Sequence, residues 1–560
     1  MRISSLALLA ASSLVLAACG GGGGGSNSGV SPANPTNSNA SNAQPVNVAP
    51  ATPTRSQAGV CRTDQTLAAP RNDNLRIDSV RYLQVVEQDA ANANATIVSN
   101  KVLSLRVDVL ANPGTLSPTR ATALVFNPAS GRCDTFNLSG PNTIPTQVDN
   151  TRLNDAFFVT IPANSVQPGM TITVVFDDNQ GRSSAEAARV QRMVVPAIVT
   201  GVTETVRVIP LRFNGQTGVA NPSSVKSILE RTAGVASVNV QTEAPFTPRA
   251  FNSRGGFLIF QGPEGEFNAN TLVQALNEVD DVCDQLNGAQ SSARSSPKCL
   301  GVWPDNVRFT SGGLTSSGEI VGVAFVGGKT MMTQSLGGTD IPGIISPYAG
   351  THWLAFRAVT VAHEYGHLLN LNHAACGVGG RTDSRLYSDG RLGNTGAGYD
   401  MARDFYFSAT QRGANGGRQF GDIMSYCEKE WPSDRGYVLS ASYRAGGASS
   451  RNAASREVAS QRWLKITGFD GHWQVRAVYT APSTLEATDM AMRLSSSSGQ
   501  LEQPLMRPQI SDLPLASANG PYYVELPTSA VESLSTLSWQ LLSGAGQLLS
   551  TGVGELLTQP

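Results

Sequence analysis

Charge is scarce in this chain. Lys, Arg, Asp and Glu make up 15% of its 560 residues, where about 25% is ordinary for a soluble domain. The two signs nearly cancel, with 41 basic and 42 acidic side chains and a formal net charge of -1. No basic surplus exists to neutralise phosphates, so nucleic acid is not an expected partner. Long apolar runs are missing too. Beyond residue 18 no stretch reaches the roughly 20 residues that a membrane helix needs. Cysteine never occurs as CxxC, which argues against a cysteine-held zinc ion. Histidine is rare, five in all, and no long-range repeat is visible. With so little charge, Ser, Thr, Asn and Gln must cover the surface. Together with 56 glycines and 31 prolines, this composition suits a turn-rich, β-rich extracellular protein.

What is present begins with an export signal. Met1 and Arg2 form a short positive start, and residues 3 to 18 are apolar and small, ending Leu16-Ala17-Ala18 before Cys19. That run is too short for a comfortable membrane span, and its small residues mark a cleavage site. Residues 1–18 are therefore read as a signal peptide. Residues 19–60 run through six glycines into Ser, Asn, Pro and Ala. They have almost nothing apolar to bury and are read as a flexible tether. Six cysteines follow: Cys61, Cys133, Cys283, Cys299, Cys376 and Cys427. An even number in an exported chain implies disulfides; fifteen pairings are possible, and sequence order favours three local ones.

Residues 61–198 carry strand patterns at 103–109, 157–161 and 171–176, with a turn near Pro168 and Gly169. Short strands separated by turns predict a small β-sandwich, which Cys61 and Cys133 could cross-link. Residues 199–450 differ. A strand is expected at 205–212, a helix at 223–232 with Ser223 as N-cap, a longer helix at 272–286, an apolar strand at 319–326 and a helix at 353–369. That mixture predicts an α+β domain. Residues 451–560 return to β signals at 473–479, 522–526 and 537–541 and are read as a second β-sandwich. The expected fold class is multidomain, an α+β domain flanked by N- and C-terminal β-sandwiches.

Three of the five histidines lie within eleven residues, His363-Glu-Tyr-Gly-His367-Leu-Leu-Asn-Leu-Asn-His373. On a helix, positions four apart share a face, so His363 and His367 aim both imidazoles at one point. Three imidazoles plus a water make a catalytic zinc site, and Glu364 beside the first ligand suits a general base. A continuing helix would carry His373 about 600° beyond His367, so the chain must turn before it.

This motif, with Gly421-Asp-Ile-Met424-Ser-Tyr426-Cys427 downstream, resembles the metzincin zinc metalloproteases and their Met-turn. The family turns the chain with Gly three residues after the second histidine. Here Asn370 stands in that position, and Asn is the next most tolerant residue of the left-handed conformation. The resemblance implies zinc held by His363, His367 and His373, Glu364 as general base, and Met424 beneath the histidines. It implies that Tyr426 binds zinc or stabilises the oxyanion; a packed aromatic is the alternative. Residues 363–437, through Trp431-Pro-Ser-Asp-Arg-Gly-Tyr437, are similar to exported bacterial metzincins whose catalytic domain follows a β-sandwich. Because both motifs meet at the metal in that family, the resemblance also implies a Cys376–Cys427 disulfide, leaving Cys283 with Cys299.

Leu16-Ala17-Ala18-Cys19 resembles a bacterial lipobox, which implies a lipid on Cys19. Gly20 in the next position favours the outer membrane or cell surface; an ordinary signal peptide with a chance cysteine is the alternative. The implied function is a zinc-dependent endopeptidase acting on extracellular protein or glycoprotein. One alternative is an inactive surface lipoprotein that recognises glycan or matrix through its β-sandwiches, and another is zinc hydrolysis of a non-peptide bond. Retention of Glu364 beside all three histidines favours hydrolysis. Asp383, Asp389, Asp400 and Asp422 match no calcium motif and are read as solvated loop residues. His352 and His472 are read as ordinary polar positions.

Overall fold

The structure is a computed structural model. It describes residue 61 and residues 74–553, apart from 118–119, 150–152, 177–183, 253–256, 262–263, 289–292, 311–318, 336–355, 379–381, 393–396, 402–404, 409–419, 427–429, 447–461, 470–471, 479, 497–498, 512, 514–519 and 527–537. The signal peptide, the tether, Cys19, His352 and Cys427 lie outside the described residues. The chain is multidomain and mostly β.

Two four-stranded antiparallel sheets build the N-terminal unit. One has the order Glu87–Asp89, Arg76–Leu83, Leu103–Leu110, Phe157–Ile161; the other runs Arg132–Asn137, Ala121–Asn127, Thr171–Phe176, Gln191–Val194. Leu105 and Val107 of the first meet Val125, Ile172 and Val174 of the second in one core, as expected of a sandwich. The strand Leu103–Leu110 is buried at every position rather than on one face. Its polar face is covered by an ion network: the Arg106 guanidinium meets Glu87 at 3.3 Å and Asp108 at 3.0 Å. Cys61 is bonded to Cys133.

The central unit is organised around a five-stranded sheet of order Ser237–Thr242, Thr203–Pro210, Lys298–Trp303, Thr330–Gln334, Gly322–Ala324. The first four strands are parallel, and Gly322–Ala324 is an antiparallel edge. Helices Pro222–Thr232 and Phe356–Leu368 cover one face, burying Ile228, Leu229, Val361 and Leu368 against Val206, Val208, Leu300 and Met331. Helix Ala269–Asn287 covers the other, burying Leu272, Leu276 and Val279 against Ile209 and Met332. Cys283 of that helix is bonded to Cys299 of the neighbouring strand.

Two sequence expectations are corrected here. The first helix is capped by Asn221, whose side chain accepts from the Ser223 amide at 2.9 Å, and not by Ser223. Pro222 takes the first helical position, where its missing N–H costs nothing. The apolar run 319–326 is not one strand. Glu319–Ile320 joins a separate four-stranded sheet through Val307–Thr310, and Gly322–Ala324 crosses to the central sheet.

Among the described residues, the C-terminal unit forms one seven-stranded antiparallel sheet and not the expected second sandwich. Its order is His472–Val478, Arg462–Phe469, Tyr522–Leu526, Gly499–Pro508, Leu485–Ser496, Ser538–Leu542, Leu548–Val553. Alternating residues of one face, Leu464, Ile466, Met492, Leu494, Tyr522, Val524, Trp539 and Leu541, share one core, so the sheet curls toward a barrel and needs no second layer. Lys465 of this sheet meets Asp280 and Asp281 of helix Ala269–Asn287, each at 2.7 Å. Arg476 also bonds Asp281, and Lys329 bonds Asp284. These three aspartates lie close enough to suggest a metal cluster, but two lysines and an arginine already balance their charge, so they read as an inter-unit ion network.

Candidate metal centre

Helix Phe356–Leu368 carries His363, Glu364 and His367. All three are buried. The helix ends as a Schellman turn: the Asn370 amide donates to the His367 carbonyl at 2.9 Å and the Leu371 amide to the Gly366 carbonyl at 3.2 Å. Asn370 has φ 66°, the left-handed conformation expected of it. This turn redirects the chain and brings His373 back to the other two histidines. Their ligand atoms all lie within 4.8 Å of one another.

Backbone carbonyls orient two of the rings. His363 Nδ1 lies 2.7 Å from the Ile423 carbonyl and His367 Nδ1 lies 2.7 Å from the Leu371 carbonyl. A carbonyl only accepts, so each Nδ1 carries a proton, and in the neutral ring each Nε2 then presents a lone pair. Those two Nε2 atoms are 3.2 Å apart. Two acceptors at that distance repel, and a cation shared between them relieves the repulsion. The donor set therefore fits a divalent metal that prefers imidazole nitrogen.

The downstream motif closes the site from below. The Ala374 amide donates to the Met424 carbonyl at 2.8 Å, and the Tyr426 amide to the Cys376 carbonyl at 2.9 Å. Met424 is fully buried and lies against the site helix, because a Cβ built on Gly366 would fall 2.3 Å from its sulfur. The Tyr426 hydroxyl is 2.9 Å from His373 Nε2, and its ring stacks on His363 at 5.5 Å. Tyr426 thus lies directly against the histidine cluster. Cys376 is disulfide-bonded. The partner expected for it, Cys427, lies outside the described residues.

Three of the four aspartates read as solvated are buried and structural. Asp422 Oδ1 accepts from the Met424 amide at 2.9 Å, shaping the turn. Burial pushes its carboxyl up to about 6, against hydrogen bonds from Ser433 and the Met424 amide. Asp383 accepts from the Asn372 amide at 3.1 Å, next to His373, and from the Arg385 side chain. Asp400 pairs with Arg231 of helix Pro222–Thr232. Only Asp389 is exposed as expected, as is His472. Solvation failed as a reading because backbone amides and arginines compensate these carboxylates across long sequence separations.

Sequence reasoning also missed the groups that anchor the helix. The Tyr365 hydroxyl donates to buried Glu204 at 2.8 Å, and Arg444 binds the same carboxylate through Nε at 2.8 Å and Nη2 at 3.0 Å. Glu364 Oε2 accepts from the Ser511 hydroxyl at 3.0 Å. The residues 431–437 dock the unit on the N-terminal sandwich: Trp431 Nε1 donates to the Val85 carbonyl at 2.8 Å and the Tyr437 hydroxyl to Gln84 at 2.9 Å. No protein-family model matches the chain, and no curated protein is significantly similar to it.

Proposed function

We propose that this protein is a zinc-dependent endopeptidase of the metzincin type, acting on extracellular protein or glycoprotein. The carrying observation is the convergence of His363, His367 and His373, with two Nε2 lone pairs aimed at one point and Glu364 buried beside them. Bound by these imidazoles, zinc supplies a Lewis acid that acidifies water and polarises a carbonyl. Glu364 takes the proton of the attacking water and returns it to the leaving amine. Tyr426 donates its hydroxyl hydrogen to the carbonyl oxygen as that oxygen gains charge. Asn370 and the Met424 turn hold the three imidazoles in register.

A polypeptide substrate is favoured by the sheet edge beside the base. A Cβ on Gly322 would fall 2.4 Å from Glu364 Oε1, so the edge strand passes directly over the carboxylate. Gly322 turns its backbone groups to the outer side of the sheet, whereas the outer amide and carbonyl of Ala324 are already bonded to Ser511. An extended peptide can add by main-chain hydrogen bonds only on the Gly322 side of this edge, beside Glu364.

Export and a lipid on Cys19 belong to the same proposal. The Cys61–Cys133 and Cys283–Cys299 bridges suit an oxidising compartment. Among the described residues no helix is long and apolar enough to cross a membrane.

Glu364→Gln tests the reading. It leaves all three imidazoles in place, so bound zinc should be unchanged. Peptide hydrolysis should fall by about 10²–10⁴-fold. A zinc-loaded variant that turns over at the wild-type rate would remove Glu364 from the mechanism.

A further inference from the structure

We propose that Ser511, carried by the C-terminal β unit, is a positioning residue for Glu364, so that this unit completes the catalytic site and is not a detachable binding module. The proposal rests on the endopeptidase reading and extends it to a residue 147 positions away from the base.

The segment from Gln509 to Ser511 lies against the outer edge of the central sheet. The Ser511 amide donates to the Ala324 carbonyl at 2.9 Å, the Val326 amide donates to the Gln509 carbonyl at 3.0 Å, and Ile510 bridges Phe325 in antiparallel fashion. The same segment reaches the metal-binding loop, where the Gln509 side chain bonds Asn372, the neighbour of His373. A second stretch, just before strand Leu485–Ser496, grips the helix end: Thr484 donates to Asn370 Oδ1 at 2.8 Å, and the Ser483 amide to the Gly327 carbonyl at 3.2 Å.

The direction of the Ser511 hydroxyl is determined. Its oxygen accepts from the Ala324 amide at 2.7 Å. Its one hydrogen then points to Glu364 Oε2 at 3.0 Å. A hydroxyl has a single donor, so this pairing fixes Glu364 as the acceptor and sets the plane of its carboxylate. Ser511 is 3% exposed and Glu364 0%, so water does not compete for the bond. A base held in one plane on a rigid sheet edge meets the attacking water without reorganisation.

Ser511→Ala and Ser511→Thr in the full mature chain test this. Both are assayed for kcat and KM on one peptide, for bound zinc, and for amide hydrogen exchange at Ala324. Ser511→Ala should lower kcat about tenfold with KM and zinc unchanged, and Ser511→Thr should restore kcat. Ala324 exchange should quicken about tenfold or more in the alanine variant and not in the threonine variant. An unchanged or raised kcat in Ser511→Ala overturns the proposal, as does a fall that merely follows lost zinc. The exchange measurement stands apart from the substrate question. If the wild-type protein cleaves no peptide, the endopeptidase reading fails on its own, whereas unaltered Ala324 exchange in Ser511→Ala overturns the Ser511 bridge.

Discussion

Asp422 shows how a single side chain serves the site without touching a ligand. It is 1% exposed, and its carboxyl is pushed up to about 6 by burial, with Ser433 and the Met424 amide opposing. An unfolded aspartate titrates near 3.9, at about that value. The folded state therefore binds this proton more tightly than the unfolded chain. The stabilising contribution is complete below about pH 4 and is lost as pH rises through about 6. Asp422→Asn keeps an acceptor for the Met424 amide and removes the charge. Between about pH 4.5 and about pH 7.5, the variant should gain stability relative to wild type by on the order of 2 kcal/mol in thermal unfolding. Parallel pH profiles for the two proteins would show that Asp422 does not titrate in this way. Nothing local in the sequence separates Asp422 from exposed Asp389, because burial is set by Trp431, Ser433 and the turn that fold over it. The histidines were legible, since three of five fall in one short segment and their spacing carries the geometry.

The elements were legible where one face repeats. Helix Ala269–Asn287 and strands Phe157–Ile161, Thr171–Phe176 and Tyr522–Leu526 stand where apolar periodicity put them. Boundaries and partners were not, as in the split of 319–326 between two sheets. Periodicity reports which face is apolar and says nothing of what covers it. That is why a self-burying seven-stranded sheet was expected to be a sandwich. The end of helix Phe356–Leu368 is the element on which the site depends most. Its left-handed residue, Asn370 at φ 66°, turns the chain toward His373. Asn370→Gly preserves that conformation and loses the Thr484 bond alone. Asn370→Val forces a β-branched residue into it, at a cost of at least about 1–2 kcal/mol. Zinc titration should show near-native affinity for the glycine variant and weakening of about tenfold or more for the valine variant. Equal affinities would mean that the turn does not deliver His373.

At the scale of the whole molecule, the two flanking units bind the helices of the central one. The N-terminal sandwich contributes Lys101, whose Nζ reaches the Glu230, Ala233 and Val235 carbonyls at 2.7, 3.3 and 3.1 Å. It thereby caps the end of helix Pro222–Thr232, the neighbour of the site helix. The C-terminal sheet contributes the Lys465 ion network and the Ser511 segment. Such contacts join residues far apart in the chain, so a local reading of sequence finds the units and misses their joints. The central claim is that the three imidazoles hold zinc and that the zinc-loaded protein cuts polypeptide. One preparation of mature protein should be followed for metal content and for cleavage of a diverse peptide library, before chelation, after it, and after zinc is returned. The account predicts about one zinc per chain, cleavage that disappears with the metal and returns with it. Cleavage that persists in zinc-free protein, or a zinc-loaded protein that cuts no peptide, would contradict it.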